Sequence, residues 1–209
     1  MKNHLEWSRN QRSVNPLTGL PGNLSILAER ERRIAAGEAF GQIFLDLDNF
    51  KAFNDRYGFP GGDTAIKAVA EVLVEVVESQ GRPGDFVGHI GGDDFVLLTE
   101  PDRAEDLAEA VKEGLDARMP ALYEPEDREL GFVRVLNRRH QYEDFPLMSV
   151  TMAVATHDPA SGVHLAQLDD VLTELKTYGK TLPGSVVVTE RRRASANDAL
   201  ATSKLKKSA

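Results

Sequence analysis

Arg82-Pro83-Gly84-Asp85-Phe86-Val87-Gly88-His89-Ile90-Gly91-Gly92-Asp93-Asp94-Phe95 sets two apolar runs around a Gly-Gly pair, with adjacent carboxylates directly after it. Glycine accepts positive φ at both positions of a two-residue turn, so the stretch predicts a β-hairpin folded at Gly91-Gly92. Asp93 and Asp94 then stand at the bend, where their charges are hard to bury. Carboxylates crowded together repel unless a cation joins them, which makes the bend a candidate metal or phosphate site.

Outward from the hairpin, residues 41 to 48 (Gly-Gln-Ile-Phe-Leu-Asp-Leu-Asp) read as a buried strand ending in carboxylates. A short helix is expected from Phe50 to Tyr57. Residues 58–62 then form a loop, with Asp63 as cap of the next helix. Ile66, Val69, Ala70, Leu73, Val76 and Val77 follow the spacing of one buried helical face, as do Ala104, Leu107, Ala108, Val111 and Leu115. Leu24, Ile26, Leu27 and Ile34 give an earlier helical stripe that Gly37 ends. Met148 to Ala155 alternates as a strand, a last helix runs from about His164 to Tyr178, and a short strand from Ser185 to Thr189 closes the series. The order predicts an α+β fold: a ferredoxin-like core with a mainly antiparallel central sheet flanked by helices. Residues 1–14 read as an N-terminal arm or linker and residues 15–190 as the domain. Residues 120–146 read as an inserted, partly exposed segment, and the basic tail 191–209 as disordered.

The 209 residues suit one domain with appendages. Without cysteine, disulfides, thiolate metal sites and thiol nucleophiles are excluded, so any metal must take oxygen or histidine ligands. The polar start and the lack of a long apolar run give no secretion signal and no membrane segment, and point to the cytoplasm. A net charge of -8 opposes binding to a nucleic acid polymer while leaving room for a local basic pocket around a nucleotide phosphate.

Asp46 and Asp48 lie two apart on a strand, hence on one face, and Asp46 can meet Asp93 from the neighbouring hairpin around a hard cation such as Mg2+. Alone, strand-end aspartates simply start turns. Lys51 and Asn54 share one side of a helix turn, where the ammonium can neutralise a phosphate and the amide can read a base edge; a solvated helix face is the plain alternative. Asp63 can accept two donors from a guanine edge or merely cap a helix. Lys176 and Lys180 project together and can hold a triphosphate, although cations near a helix C-terminus are expected from the dipole alone.

Taken together, these residues resemble the GGDEF family, the diguanylate cyclases, which join two GTP into cyclic di-GMP. The resemblance rests on Leu17-Thr18-Gly19-Leu20-Pro21, Asp46 to Lys51, Asn54-Asp55, Gly58 to Asp63, Gly91-Gly92-Asp93-Asp94-Phe95 and Lys176 to Lys180, in order along the chain. It implies that Asp46, the carbonyl of Leu47, Asp93 and Asp94 surround two Mg2+ ions, with Mn2+ able to substitute. It implies too that Asn54 and Asp63 recognise guanine, and that Lys51, Lys176 and Lys180 bind the triphosphate. Each family domain holds one GTP, and a homodimer brings two together, so that a 3′-hydroxyl attacks the partner's α-phosphorus and expels pyrophosphate. Arg82 and Asp85 are similar in spacing to the family's RxxD product-inhibition site, and suited to it, since a guanidinium forks onto phosphate or guanine; a turn before a strand is the alternative. The sequence departs from the family at Asp94, one methylene shorter than the usual glutamate, and at Asn15, Gly22-Asn23, Phe59 and His89. A degenerate domain that senses GTP or cyclic di-GMP without condensing GTP is the second reading, and a ferredoxin-like interaction domain with no nucleotide the third.

Overall fold

A computed structural model describes residues 14–136, 140–161 and 164–190; the expected arm, apart from Val14, and the expected tail lie outside the described residues. The centre of the molecule is β1 (Phe40–Asp48), buried along almost its whole length. Strand alternation sends Ile43, Leu45 and Leu47 into one apolar cluster and Phe40 and Phe44 into another, so β1 is covered on both faces. It pairs antiparallel with β3 (Asp94–Thr99) on one side and with β6 (Ser149–His157) on the other. β2 (Phe86–Gly91) extends the sheet beyond β3, and β7 (Val186–Thr189) runs parallel to β6, giving the order β2-β3-β1-β6-β7.

The helices sort by face. α1 (Asn23–Ala35) and α5 (Leu165–Gly179) bury Ile26, Leu168 and Leu172 against Phe40, Val96 and Leu98. On the opposite face α2 (Phe50–Gln80) and α3 (Ala104–Arg118) bury Phe53, Val69, Leu73, Leu107, Val111 and Leu115 against Ile43, Leu45, Phe95 and Leu97. The unit β1–α2–β2–β3–α3–β6 is the split βαβ arrangement of a ferredoxin-like core, as the sequence predicts.

Three local expectations change. The turn of the hairpin is Gly92-Asp93, because Gly91 still pairs with Asp94 after a bulge that follows His89. Gly92 takes φ 60, a value only glycine accepts freely, and Asp94 thereby becomes the first residue of β3. The loop expected at 58–62 is a single break: Gly58 alone leaves helical geometry (φ 73, ψ 172), and the helix resumes at once, with Pro60 in its first turn, where no amide donor is needed. Asp63 is therefore an exposed residue inside a helix and not its cap.

The segment 120–146 has structure of its own. It holds the short helix α4 (Pro125–Leu130) and a separate hairpin of β4 (Phe132–Leu136) and β5 (Tyr142–Pro146). Most of its described residues are not buried, yet Tyr123, Asp127 and Val133 are, with Tyr123 and Val133 joining the cluster under α2.

Candidate functional site

β1 and β3 deliver their carboxylates to one place. Asp46, nearly buried at 7% exposure, stands directly opposite Asp94 in the antiparallel register and shares its face of the sheet. Like charges facing each other across a ladder destabilise it unless a cation intervenes. Here the intervening cations come from the last turn of α5. Lys176 Nζ lies 3.3 Å from Asp46 Oδ2 and 3.6 Å from Asp94 Oδ1, and Lys180 pairs with Asp46 and, at 3.5 Å, with Asp48. Gly179 between them lets the helix settle on β6, since a Cβ there would meet Thr151 Cγ2 at 2.6 Å. The Lys176 ammonium also sits 4.5 Å from the centre of the Phe44 ring.

The electrostatics are those of acids held too close together. Burial, reinforced by the Asp46 charge, pushes the Asp93 carboxyl up from its ordinary value. Burial likewise raises Asp94, with Lys176 pulling in the opposite direction. Burial works against the charge of Lys180, but its bond to Asp46 and the charges of Asp46 and Asp48 outweigh that and raise it. Asp94 Oδ1 is buried without a hydrogen-bond partner. An acceptor-only oxygen in that condition, beside two more carboxylates, suits a hard divalent cation better than any neutral donor. Asp46, Asp93, Asp94 and the carbonyl of Leu47, whose side chain is in the core, are the residues that could hold one. Among the described residues no ready-made group of three metal-ligating side chains stands together, and Asp46 is engaged by both lysines.

α2 contributes the second part. Lys51 is exposed near its start, Asn54 is half-buried one turn later, and Asp63 is exposed beyond the break. Asn54 lies against Gly62 so closely that a Cβ at Gly62 would be 1.8 Å from Asn54 Oδ1. That oxygen is itself buried with no hydrogen-bond partner. A cleft of about 1170 Å³ opens between α2 and the paired strands β4 and β5. It is lined by Lys51, Asn49, Asp55, Arg56, Arg134 and Phe145 among others, but not by Asp46, Asp93 or Asp94. The facing carboxylates and the two lysines that bridge them are thus not part of the cleft lining, and of the sequence-predicted site residues only Lys51 is shared with it.

Arg82 and Asp85 stand apart, before the opposite end of β2 from Gly91. They form a turn in which the Asp85 amide donates to the Arg82 carbonyl and the Arg82 amide to the Asp85 carboxylate at 2.9 Å. The Arg82 guanidinium pairs with Glu100, and Arg33, almost fully buried, donates to the Gly84 carbonyl.

Two further contacts shape the site. Asp48 accepts from the Thr151 and Ser149 hydroxyls, tying the end of β1 to β6. His89, buried and stacked 4.2 Å from Phe95, bridges the Thr18 hydroxyl and the Gly92 carbonyl, each at 3.0 Å. With Nε2 donating to the carbonyl and Nδ1 accepting from the hydroxyl, one neutral tautomer satisfies both, and burial keeps its pKa below the ordinary value. Nothing in the spacing of residues 18, 89 and 92 signals that contact.

The family model described as "Diguanylate cyclase, GGDEF domain" matches residues 13–145. Among curated proteins, the diguanylate cyclase DgcP of Pseudomonas aeruginosa is 31% identical over 121 residues, covering 54% of this chain and 17% of that protein. The diguanylate cyclase DgcM of Escherichia coli K12 is 29% identical over 154 residues, covering 71% of this chain and 31% of that protein. The chain thus spans less than a third of either relative's length. Among solved structures, the coiled coil and GGDEF domain of DgcB from Caulobacter crescentus, in complex with c-di-GMP, superimposes with a TM-score of 0.67 at 24% identity, covering 90% of this chain and 91% of that one. No helix among the described residues is long and apolar enough to cross a membrane.

Proposed function

The chain belongs to the diguanylate cyclase GGDEF domain family, and we propose that it condenses two GTP into cyclic di-GMP with release of pyrophosphate, as a cytoplasmic homodimer restrained by product at Arg82 and Asp85. The observation that carries this reading is the junction of Asp46, Asp94, Lys176 and Lys180 at one end of the sheet, with both lysines resting on carboxylates. The donor set fits two Mg2+ ions, or Mn2+, held by Asp46, Asp93, Asp94 and the Leu47 carbonyl. Such ions, when bound, acidify a hydroxyl and absorb charge on a phosphate.

The chain's own residues supply the rest. Lys176 and Lys180 neutralise the carboxylates in the nucleotide-free protein and are the cations that would meet the triphosphate. Lys51 reaches the same phosphates from α2. Asn54, with a free acceptor oxygen, and Asp63 read the guanine edge, the amide offering donor and acceptor together and the carboxylate two acceptors. One copy holds one nucleotide, so the attacking 3′-hydroxyl and the α-phosphorus it attacks come from facing copies.

Asp94 favours a second reading, a domain that binds GTP or cyclic di-GMP without turnover. Its carboxylate is retracted by roughly 1.5 Å relative to a glutamate, and Mg2+ tolerates little departure from ideal geometry. Incubation of purified protein with GTP and Mg2+ or Mn2+, followed by chromatographic separation of the nucleotides, decides between them. Linear or cyclic di-GMP supports the cyclase; unchanged GTP despite measurable binding supports the sensor; no GTP binding at all defeats both.

A further inference from the structure

Residues 50–57, the part of α2 that carries Lys51 and Asn54, are cut off from the long remainder of the helix by the break at Gly58. Helical hydrogen bonds cannot carry rigidity across a residue at φ 73 and ψ 172. The placement of these residues must therefore come from side-chain anchors. Ala52 and Phe53 face the core, and the other anchors come from the segment 120–146.

Those anchors form one connected network. The Phe53 ring meets the Tyr123 ring edge-on at 5.0 Å and the Tyr57 ring at 4.7 Å. Tyr123 is fixed in turn because its hydroxyl accepts from the Met148 amide at 2.7 Å. The Arg56 guanidinium forks onto Asp127, with Nε 2.8 Å from Oδ2 and Nη2 3.4 Å from Oδ1. The Tyr57 hydroxyl donates to the same carboxylate and accepts from the Glu124 amide at 3.3 Å. Asp127 is 6% exposed, and the Arg56 hydrogen bond holds its carboxyl below the ordinary value in spite of burial, so the charge persists at neutral pH.

The network reaches the nucleotide side of the helix through two glycines. Gly61 lies against Tyr57, where a Cβ would come within 2.7 Å of the Tyr57 Cβ, and Gly62 lies against Asn54 in the same manner. Tyr57 and Asn54 thus pack side by side on the two glycines that open the second half of α2. Resting on the guanine-reading role proposed above, we propose that Asp127 is a positioning residue: through Arg56 and Tyr57 it clamps residues 50–57 so that Lys51 and Asn54 face the nucleotide already aligned. The segment 120–146 is on this account a brace for the substrate helix, and its effect falls on nucleotide affinity.

The test uses the full chain and the variants Asp127→Asn and Asp127→Glu. Without nucleotide, amide hydrogen exchange of Asp127→Asn should rise in residues 50–57 and stay at the wild-type rate in residues 64–80. Calorimetric titration with GTP should show affinity weakened by about three- to tenfold, with Asp127→Glu, which keeps the charge, nearer to wild type. Exchange rising equally in both halves of α2, or GTP affinity unchanged although residues 50–57 have loosened, overturns the proposal. If Asp127→Asn does not fold, Arg56→Lys removes the fork and is read in the same way. A wild-type chain that binds no GTP removes the guanine-reading role, whereas the exchange measurement still decides the clamp: loosening confined to residues 50–57 supports it and any other pattern refutes it.

Discussion

Gly62→Ala separates the fold from the nucleotide site with a single methyl group. A Cβ at this position would lie 1.8 Å from Asn54 Oδ1 and 2.8 Å from its Cγ. Non-bonded carbon needs roughly 3.5 Å from its neighbours, so the amide must retreat by roughly 1.5 Å. The atom in the way is the end of a flexible side chain, which can change rotamer, so the two halves of α2 need not separate and the loss of stability should stay near about 1 kcal/mol. Rotation takes the amide away from the position assigned to the guanine edge. Losing that hydrogen bonding is worth about 1–3 kcal/mol, or roughly 5- to 140-fold in affinity. Calorimetric titration with GTP, beside a thermal melt, reads both numbers. Wild-type affinity in a folded Gly62→Ala protein would refute the assignment of Asn54 to base recognition. A collapse in melting temperature would show instead that Gly62 matters for helix packing.

Further outcomes follow from the same geometry. A carboxyl with a raised pKa in the folded chain binds its proton more tightly there than in the unfolded chain, so Asp93 contributes a loss of stability as pH rises from its ordinary 3.8 through the raised value. Asp93→Asn should accordingly raise the melting temperature of the cation-free protein above that window, with the gain vanishing toward acid; melts that coincide at neutral pH would contradict the crowding. Lys176→Met leaves Asp46 and Asp94 facing each other without the shared ammonium, and should both lower stability and weaken GTP binding. Asp94→Glu should increase nucleotide turnover if the short carboxylate limits catalysis, and equal turnover by chromatography would dismiss that explanation. Arg82→Ala removes only an exposed ion pair to Glu100, so stability should change by no more than about 0.5 kcal/mol, while inhibition by added cyclic di-GMP should be lost.

What the sequence made legible was whatever period and turn chemistry encode. Alternation in residues 41–48 and the carboxylates at their end place Asp46 in β1 beside a second acidic bend, but the sequence pairs Asp46 with Asp93, whereas the register sets it opposite Asp94, the first residue of β3. The exact turn was less accessible, because Gly91 and Gly92 both accept positive φ and the bulge after His89 selects between them. The helix around Gly58 extends further than its sequence suggests, since Gly58, Pro60, Gly61 and Gly62 together look like a loop, whereas the fold uses Gly61 and Gly62 for close contact with Tyr57 and Asn54. The pairing of β4 with β5 has readable alternation at Val133 and Phe145, which face each other across it, but the many charges around them obscure it. The bond between Tyr57 and Asp127, seventy residues apart, leaves no local trace at all.

The central claim is that carboxylates from neighbouring strands hold divalent cations that in turn grip a guanosine triphosphate. Calorimetric titration of GTP into wild-type and Asp46→Asn protein, each with and without Mn2+, tests it most directly. The account predicts tight binding only for wild type with Mn2+, and weak binding in the other three cases. Equal affinity with and without the metal, or an Asp46→Asn protein that binds as wild type does, would contradict it.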